Sequence, residues 1–150
     1  MSQLIGSWSL VAWTASVGER VRHPFGGEAE GLLTYTDDGR MWATLMRRNR
    51  PSLSASTLAA ATATERAAAA AGYLSYAGSY SDLGERVVHH VEVSLLPNWV
   101  GEIQERVVTW IPTEGGDDLE LSTEPTAGRS GELIVNRLRW RRLNGAGRGA

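Results

Sequence analysis

Three polar residues on two neighbouring predicted strands have the types and spacing needed for proton transfer. His90 and Glu92 lie two residues apart, on one face of a predicted strand, and Arg106 lies on the strand that follows. A histidine oriented by a carboxylate is suited to general acid–base catalysis near neutral pH, and an arginine stabilises a developing oxyanion. If this strand face points inward, His90, Glu92 and Arg106 are the predicted catalytic residues.

The opposite face of the same strand supports a different interpretation. His89 shares that face with Val87, Val91 and Val93, and the more apolar face of a strand usually turns toward the core. His89 would then be a hydrogen-bonded core histidine, and His90 would lie outside. Alternation alone leaves both interpretations open. Adjacent histidines of a regular strand point in opposite directions and cannot ligate one ion, so no metal site is predicted.

Aromatic side chains are the second feature suited to function, because an aromatic cavity favours flat or conjugated ligands. The alternative for each of these side chains is simple packing, which is the more common role of an aromatic residue. The basic residues before Pro51 are either a solvated loop or an anion anchor at the mouth of a barrel. The predicted ligand-binding residues are Tyr35, Trp42, Arg50, Tyr76, Tyr80, His89, Asn98, Trp99, Gln104 and Trp110. Trp8 and Trp140 are expected in the core.

The elements that position these residues are short strands joined by tight turns. A hairpin is predicted around Asp37-Asp38-Gly39, where glycine supplies the positive φ that the turn requires. A single Ala-rich helix is predicted from Ser54 to Gly72. About eight strands with one inserted helix indicate an all-β, antiparallel barrel. An eight-stranded barrel leaves room inside for side chains or for one small ligand.

Composition limits the class of protein. The chain has 150 residues, no cysteine and a net charge of -2, which fits one domain and gives no overall attraction for nucleic acid or anionic lipid. No apolar stretch approaches the roughly 20 residues that span a bilayer, and no signal peptide is evident. We expect a cytoplasmic barrel over residues 1–143, a disordered Gly-rich tail over residues 144–150, no cofactor, and a monomer or a homodimer.

The chain resembles the lipocalin-like domain family of small, mostly bacterial barrels. The residues that carry this resemblance are Gly6-Ser7-Trp8, the stretch 31–41, Arg50-Pro51, the stretch 76–80, His89-His90-Val91-Glu92-Val93-Ser94, Pro97-Asn98-Trp99-Val100-Gly101, Gln104 with Arg106, and the stretch 138–141. The resemblance implies a barrel with an internal cavity and a helix inserted in mid-chain. It also implies candidate activities, since similar barrels act as cyclases or isomerases in natural-product pathways.

Two functions therefore follow as hypotheses. The first is a cofactor-free cyclase or isomerase that holds a small hydrophobic, polyketide-like or terpenoid-like intermediate in the barrel. The second is a non-catalytic binder or carrier of a small hydrophobic ligand, which would use the same cavity. A barrel whose core is filled by its own side chains is the remaining alternative.

Overall fold

The computed structural model describes residues 1–144, which form ten strands, one α-helix and a short 3-10 helix at Pro97–Trp99. The predicted disordered tail lies outside the described residues, apart from Asn144. The elements are β1 (Gly6–Val17), β2 (Arg20–Arg22), β3 (Glu30–Tyr35), β4 (Arg40–Met46), α1 (Ala63–Ala71), β5 (Tyr73–Asp82), β6 (Arg86–Ser94), β7 (Ile103–Ile111), β8 (Asp118–Ser122), β9 (Thr126–Ala127) and β10 (Leu133–Arg142).

Eight of these strands close into an antiparallel barrel. Their order around the barrel is β1, β3, β4, β5, β6, β7, β8 and β10, and pairing between β10 and β1 completes the circle. Strand β2 pairs with β1, and β9 pairs with β10, so these short strands only flank the barrel. The predicted fold class is confirmed. Closure satisfies the backbone hydrogen bonds that an open sheet would leave free at its edges.

One end of the barrel is plugged by packed side chains, and we call it the closed end. Trp8 is fully buried there, and its indole N–H donates to the Leu4 carbonyl over 2.9 Å. The guanidinium of Arg142 lies 4.1 Å from the centroid of the Trp8 ring, and Trp110 packs at 6.0 Å. A cation over an indole face is stabilised by the ring quadrupole. The first and last strands are therefore joined at this end by burial as well as by pairing.

The opposite end of the barrel, which we call the mouth, carries the longer connections. Helix α1 joins β4 to β5 there, and the 3-10 helix joins β6 to β7. The tight turns between β3 and β4 and between β5 and β6 lie at the closed end. Within residues 1–144, no helix has the length and apolar character needed to cross a membrane.

Helix α1 is shorter than the sequence suggested. The predicted end at Gly72 agrees with the structure, but the predicted start at Ser54 is wrong, because the first helical residue is Ala63. Thr62 accepts from the backbone N–H of Glu65, and the Glu65 carboxylate accepts from the backbone N–H of Thr62 in return. This reciprocal capping box fixes the start of the helix. Glu65 also binds Ser54, so the segment before the helix folds back on it through turns.

Candidate ligand-binding cavity

The two adjacent histidines of β6 lie on opposite sides of the barrel wall. His89 is buried in the interior, whereas His90 is exposed on the outer surface. The inner face of the strand also carries Val87 and Val91, both of which are buried. Burial of the valines fixes the orientation of the strand, because a shift by one residue would exchange its faces.

Two tyrosine hydroxyl groups hold the imidazole of His89. Tyr35 Oη lies 2.6 Å from Nε2, and Tyr76 Oη lies 2.8 Å from Nδ1. A neutral imidazole has one N–H donor and one acceptor nitrogen, so it donates to one tyrosine and accepts from the other. The three side chains form a continuous hydrogen-bonded chain, which we call the Tyr–His–Tyr relay. Each of its members is buried.

Burial keeps every member of the relay neutral. Loss of hydration lowers the pKa of His89 to about 3, and the positive charge of Arg106 acts in the same direction. Burial also raises the pKa of Tyr35 and that of Tyr76. At neutral pH the relay therefore consists of a neutral imidazole between two protonated hydroxyl groups.

A glycine allows β5 to approach β6 beside the relay. A Cβ atom at Gly78 would lie 1.8 Å from the backbone oxygen of His90, so no side chain fits there. The pairing of β5 with β6 is irregular between Ala77 and Gly78. A bulge of this kind redirects side chains locally. The close approach keeps Tyr76, on β5, within hydrogen-bond distance of His89, on β6.

A cavity of about 340 Å³ extends from His89 toward the mouth of the barrel. Its lining is mainly apolar and aromatic, with Trp13, Tyr76, Trp99 and Leu138 among its residues. Trp99, from the 3-10 helix, packs edge-on against Tyr76 at 5.4 Å. Cavities of this size with a few polar groups are typical of small-molecule sites.

Arg106 carries the formal charge of the cavity lining. The partly buried side chain donates from Nη1 to the Glu105 carbonyl over 2.9 Å and from Nη2 to Gln104 Oε1 over 3.3 Å. Among the described residues it forms no ion pair with a carboxylate. The cavity thus combines an apolar wall with one cation beside a neutral histidine.

The predicted catalytic trio is not assembled. Arg106 lines the cavity, but His90 and Glu92 lie on the outer surface of β6. His90 Nε2 lies 3.3 Å from Ser81 Oγ, and the Glu92 carboxylate pairs with Arg40. The face that carries His90 and Glu92 therefore points outward, and the alternative interpretation, with His89 as the hydrogen-bonded core histidine, describes the structure. The valine-rich face gains more from burial than the face carrying His90 and Glu92, and His89 takes the inner position instead.

The predicted ligand-binding residues separate into four groups. Those lining the cavity are Tyr76, His89, Trp99 and Gln104. Tyr35 and Tyr80 lie behind them in edge-on contact at 4.7 Å, and the Tyr80 hydroxyl donates to the Thr36 carbonyl. Trp110 belongs to the closed end. Those outside the cavity are Trp42, which is 47% exposed, Asn98, and Arg50, which binds the Ala69 carbonyl beside α1.

Trp13 lines the cavity although it is not among the predicted ligand-binding residues, and its indole N–H donates to Asn136 Oδ1 over 3.0 Å. Strict alternation placed Trp13 on the face opposite Trp8. The pairing of β1 with β10 shifts by one residue between Leu10 and Ala12, and this bulge turns Trp13 inward.

Within residues 1–144, no group of three or more His, Cys, Asp or Glu residues is arranged to hold a metal ion.

A second cleft of about 700 Å³ lies between the end of β4 and helix α1. Its arginines hold neighbouring loops in place. Arg47 donates to the Pro24 carbonyl and lies over the Phe25 ring, and Arg50 lies over the Tyr73 ring. These contacts explain the basic cluster before Pro51 as a structural feature of the mouth.

A closed antiparallel barrel of eight strands with an internal cavity has room for one small ligand. The family model of the lipocalin-like domain matches residues 5–143, and the chain belongs to that family. It is also 38% identical over 111 residues to the 4'-hydroxy-3'-methoxypropiophenone carrier protein ppsC of Aspergillus oryzae, covering 69% of this chain and 96% of the relative. No solved structure matches the chain significantly.

Proposed function

We propose that this protein binds a small hydrophobic aromatic molecule inside the barrel and carries it without converting it. The observation that supports this function is the cavity of about 340 Å³. Trp13, Tyr76 and Trp99 line it, and few of its lining residues are polar. A ligand of one aromatic ring with a short substituent matches this volume better than a long lipid. Edge and face contacts with the lining aromatics would hold such a ring.

The relative from Aspergillus oryzae supports a more specific ligand class. Its name states that it carries 4'-hydroxy-3'-methoxypropiophenone, a single ring with a phenol and a short ketone. We propose an acyl phenol of this kind as the ligand of the present cavity. The apolar ring would contact the aromatic wall, and the phenol and ketone oxygens would meet Gln104, Arg106 or the hydroxyl of Tyr76.

Calorimetric titration with 4'-hydroxy-3'-methoxypropiophenone tests the proposal. We expect saturable binding with one ligand per chain. Leu138→Trp, which fills the cavity, should weaken binding at least tenfold. Leu133→Trp is the matched control, because Leu133 lies on the same strand and is 60% exposed. If Leu138→Trp bound the ligand with wild-type affinity, the binding site would have to lie outside the cavity.

A second candidate is the cofactor-free isomerase or cyclase, with the Tyr–His–Tyr relay in place of the predicted trio. The relay favours this function because a neutral imidazole between two hydroxyl groups can accept one proton while it donates another. The cation of Arg106 would stabilise an enolate oxygen formed from a ketone. In this version His89 has the role that sequence analysis gave to His90.

Exchange of ligand protons with heavy water distinguishes the two candidates. An enzyme that enolises the ketone will introduce deuterium next to the carbonyl, and Tyr76→Phe should abolish this exchange while the dissociation constant stays within a few-fold. A carrier will return the ligand unlabelled. The cytoplasmic location and the homodimer stay predictions, which fractionation and sedimentation would test.

A further inference from the structure

The charge of Arg106 has no partner inside the cavity. The residues that line the cavity include no carboxylate, and two of the five N–H groups of the guanidinium are used, by the Glu105 carbonyl and by Gln104. Three N–H groups therefore have no acceptor among residues 1–144. In the free protein, water in the cavity can hydrate them.

A bound aromatic ligand would remove this hydration of Arg106, because it would displace the water from the cavity. A neutral, apolar group placed against the guanidinium would leave the cation desolvated, and a desolvated charge without a partner is strongly unfavourable. An anionic oxygen replaces the lost water with a charge-assisted hydrogen bond, which is about twice as strong as a neutral one. An acidic oxygen on the ligand would therefore satisfy the charge of Arg106 better than an apolar group would.

We propose that the cavity binds its aromatic ligand as an oxyanion, with the phenolate oxygen of an acyl phenol on the guanidinium of Arg106. This inference rests on the proposed function, since it specifies the ionisation state of the same ligand in the same cavity. When a neutral phenol binds, its O–H bond breaks and the proton passes to bulk water. The electron pair stays on the phenolate oxygen, so no other reactant is needed.

The groups around Arg106 do not compete for this proton. The titratable side chains that face it are His89 on β6, Tyr76 on β5 and Tyr35 on β3, all of which belong to the neutral relay. Thr123, which follows β8, and Asn136, on β10, line other walls of the cavity, and neither side chain titrates. Between about pH 5 and 9 the bound ligand is therefore the group inside the cavity whose charge changes.

The absorption spectrum of the ligand reports its ionisation directly, because an acyl phenolate absorbs at longer wavelength than the phenol. The probe is 4'-hydroxy-3'-methoxypropiophenone, and the matched control ligand is its 4'-methyl ether, which cannot ionise. Below the pKa of the free phenol, we expect the bound probe to show the phenolate band. Its pKa on the protein should fall by at least one unit, which corresponds to at least tenfold tighter binding of the phenolate than of the phenol.

Variants at position 106 sharpen the test. Arg106→Gln should abolish the spectral shift, and Arg106→Lys should retain part of it. Arg106→Gln should bind the methyl ether more tightly than the wild-type protein does, because the neutral ligand no longer desolvates a cation. Arg40→Gln is the control for loss of an arginine, because Arg40 lies on the outer surface and pairs with Glu92.

The outcomes separate this inference from the proposed function. If the probe and its ether bind equally and the bound probe keeps the phenol spectrum, the oxyanion inference is overturned while the binding function stands. If neither compound binds, both fail. If Arg106→Gln no longer binds the methyl ether, the substitution has disrupted the cavity itself. The inference is then judged by the wild-type protein alone, on which the bound probe should show the phenolate band.

Discussion

The closed end and the mouth of this barrel contain the same kinds of side chain, but these side chains are packed differently at the two ends. Each end has tryptophans and an arginine. At the closed end, Arg142 lies over the face of the buried Trp8. At the mouth, Trp99 borders a cavity, and Arg106 reaches into it without a carboxylate partner among the described residues.

The two ends differ in how completely side chains fill the interior of the barrel. A fully packed end gains from burial and dispersion, whereas an unfilled cavity forfeits part of both. The barrel can tolerate the cavity because closure of the sheet and the packed end hold its strands in register. Substitutions should therefore affect stability at the closed end and ligand affinity at the mouth.

The largest expected effect is loss of stability at the closed end. Trp8→Ala should lower the free energy of unfolding by about 3–5 kcal/mol, because it empties a fully buried site. Trp99→Ala is the matched substitution at the mouth, where the side chain is partly buried, and it should cost about 1 kcal/mol from its lost contact with Tyr76. Urea unfolding followed by circular dichroism measures both. Equal losses would contradict the contrast between the ends.

A smaller effect should come from His89 in acid. The folded pKa of about 3 lies below the unfolded value of 6.5, so the unfolded chain binds a proton between these values while the native state does not. Between about pH 5.5 and about pH 4.5, inside this window, stability should therefore fall by about 1.4 kcal/mol because of this group. His89→Gln should flatten this part of the stability–pH curve.

The exposed neighbour is the control for that measurement. His90→Gln should leave the free energy of unfolding almost unchanged, because the side chain is exposed on the outer face of β6. A loss of stability in His90→Gln, rather than in His89→Gln, would mean that the two faces of β6 are reversed in solution.

The smallest expected effect concerns the residues first predicted to be catalytic. His90→Ala should change the free energy of unfolding by less than about 0.5 kcal/mol, as expected for an exposed side chain. It should leave the affinity for an acyl phenol unchanged, since the residue does not line the cavity. Loss of binding or turnover in His90→Ala would restore the original acid–base assignment.

The fold followed from the sequence, since alternation and turns of the Asp-Gly type carry local information. The cavity was harder to predict, because it depends on which face of each strand turns inward. For β6, the valines identify the inner face, but two adjacent histidines gave both faces a group suited to chemistry. For β1, one extra residue in a bulge moved Trp13 to the inside, and no local signal marks such a bulge.

The start of the helix was misplaced for a different reason. Alanine has high helix propensity throughout residues 59–71, so composition does not locate the first turn. The capping box formed by Thr62 and Glu65 does locate it, and its spacing is visible in the sequence. Local capping chemistry was therefore a better guide to the boundary than the length of the alanine-rich stretch.

The hydroxyl groups on both sides of His89 also provide a spectroscopic reporter. The imidazole ring cannot flip without breaking both hydrogen bonds. Its N–H proton is held in one of these bonds within a buried side chain. In nuclear magnetic resonance, this proton should give a slowly exchanging signal far downfield, with nitrogen shifts that identify one tautomer. A ligand that reaches Tyr76 would shift that signal, so the imidazole would record occupancy of the barrel without any added label.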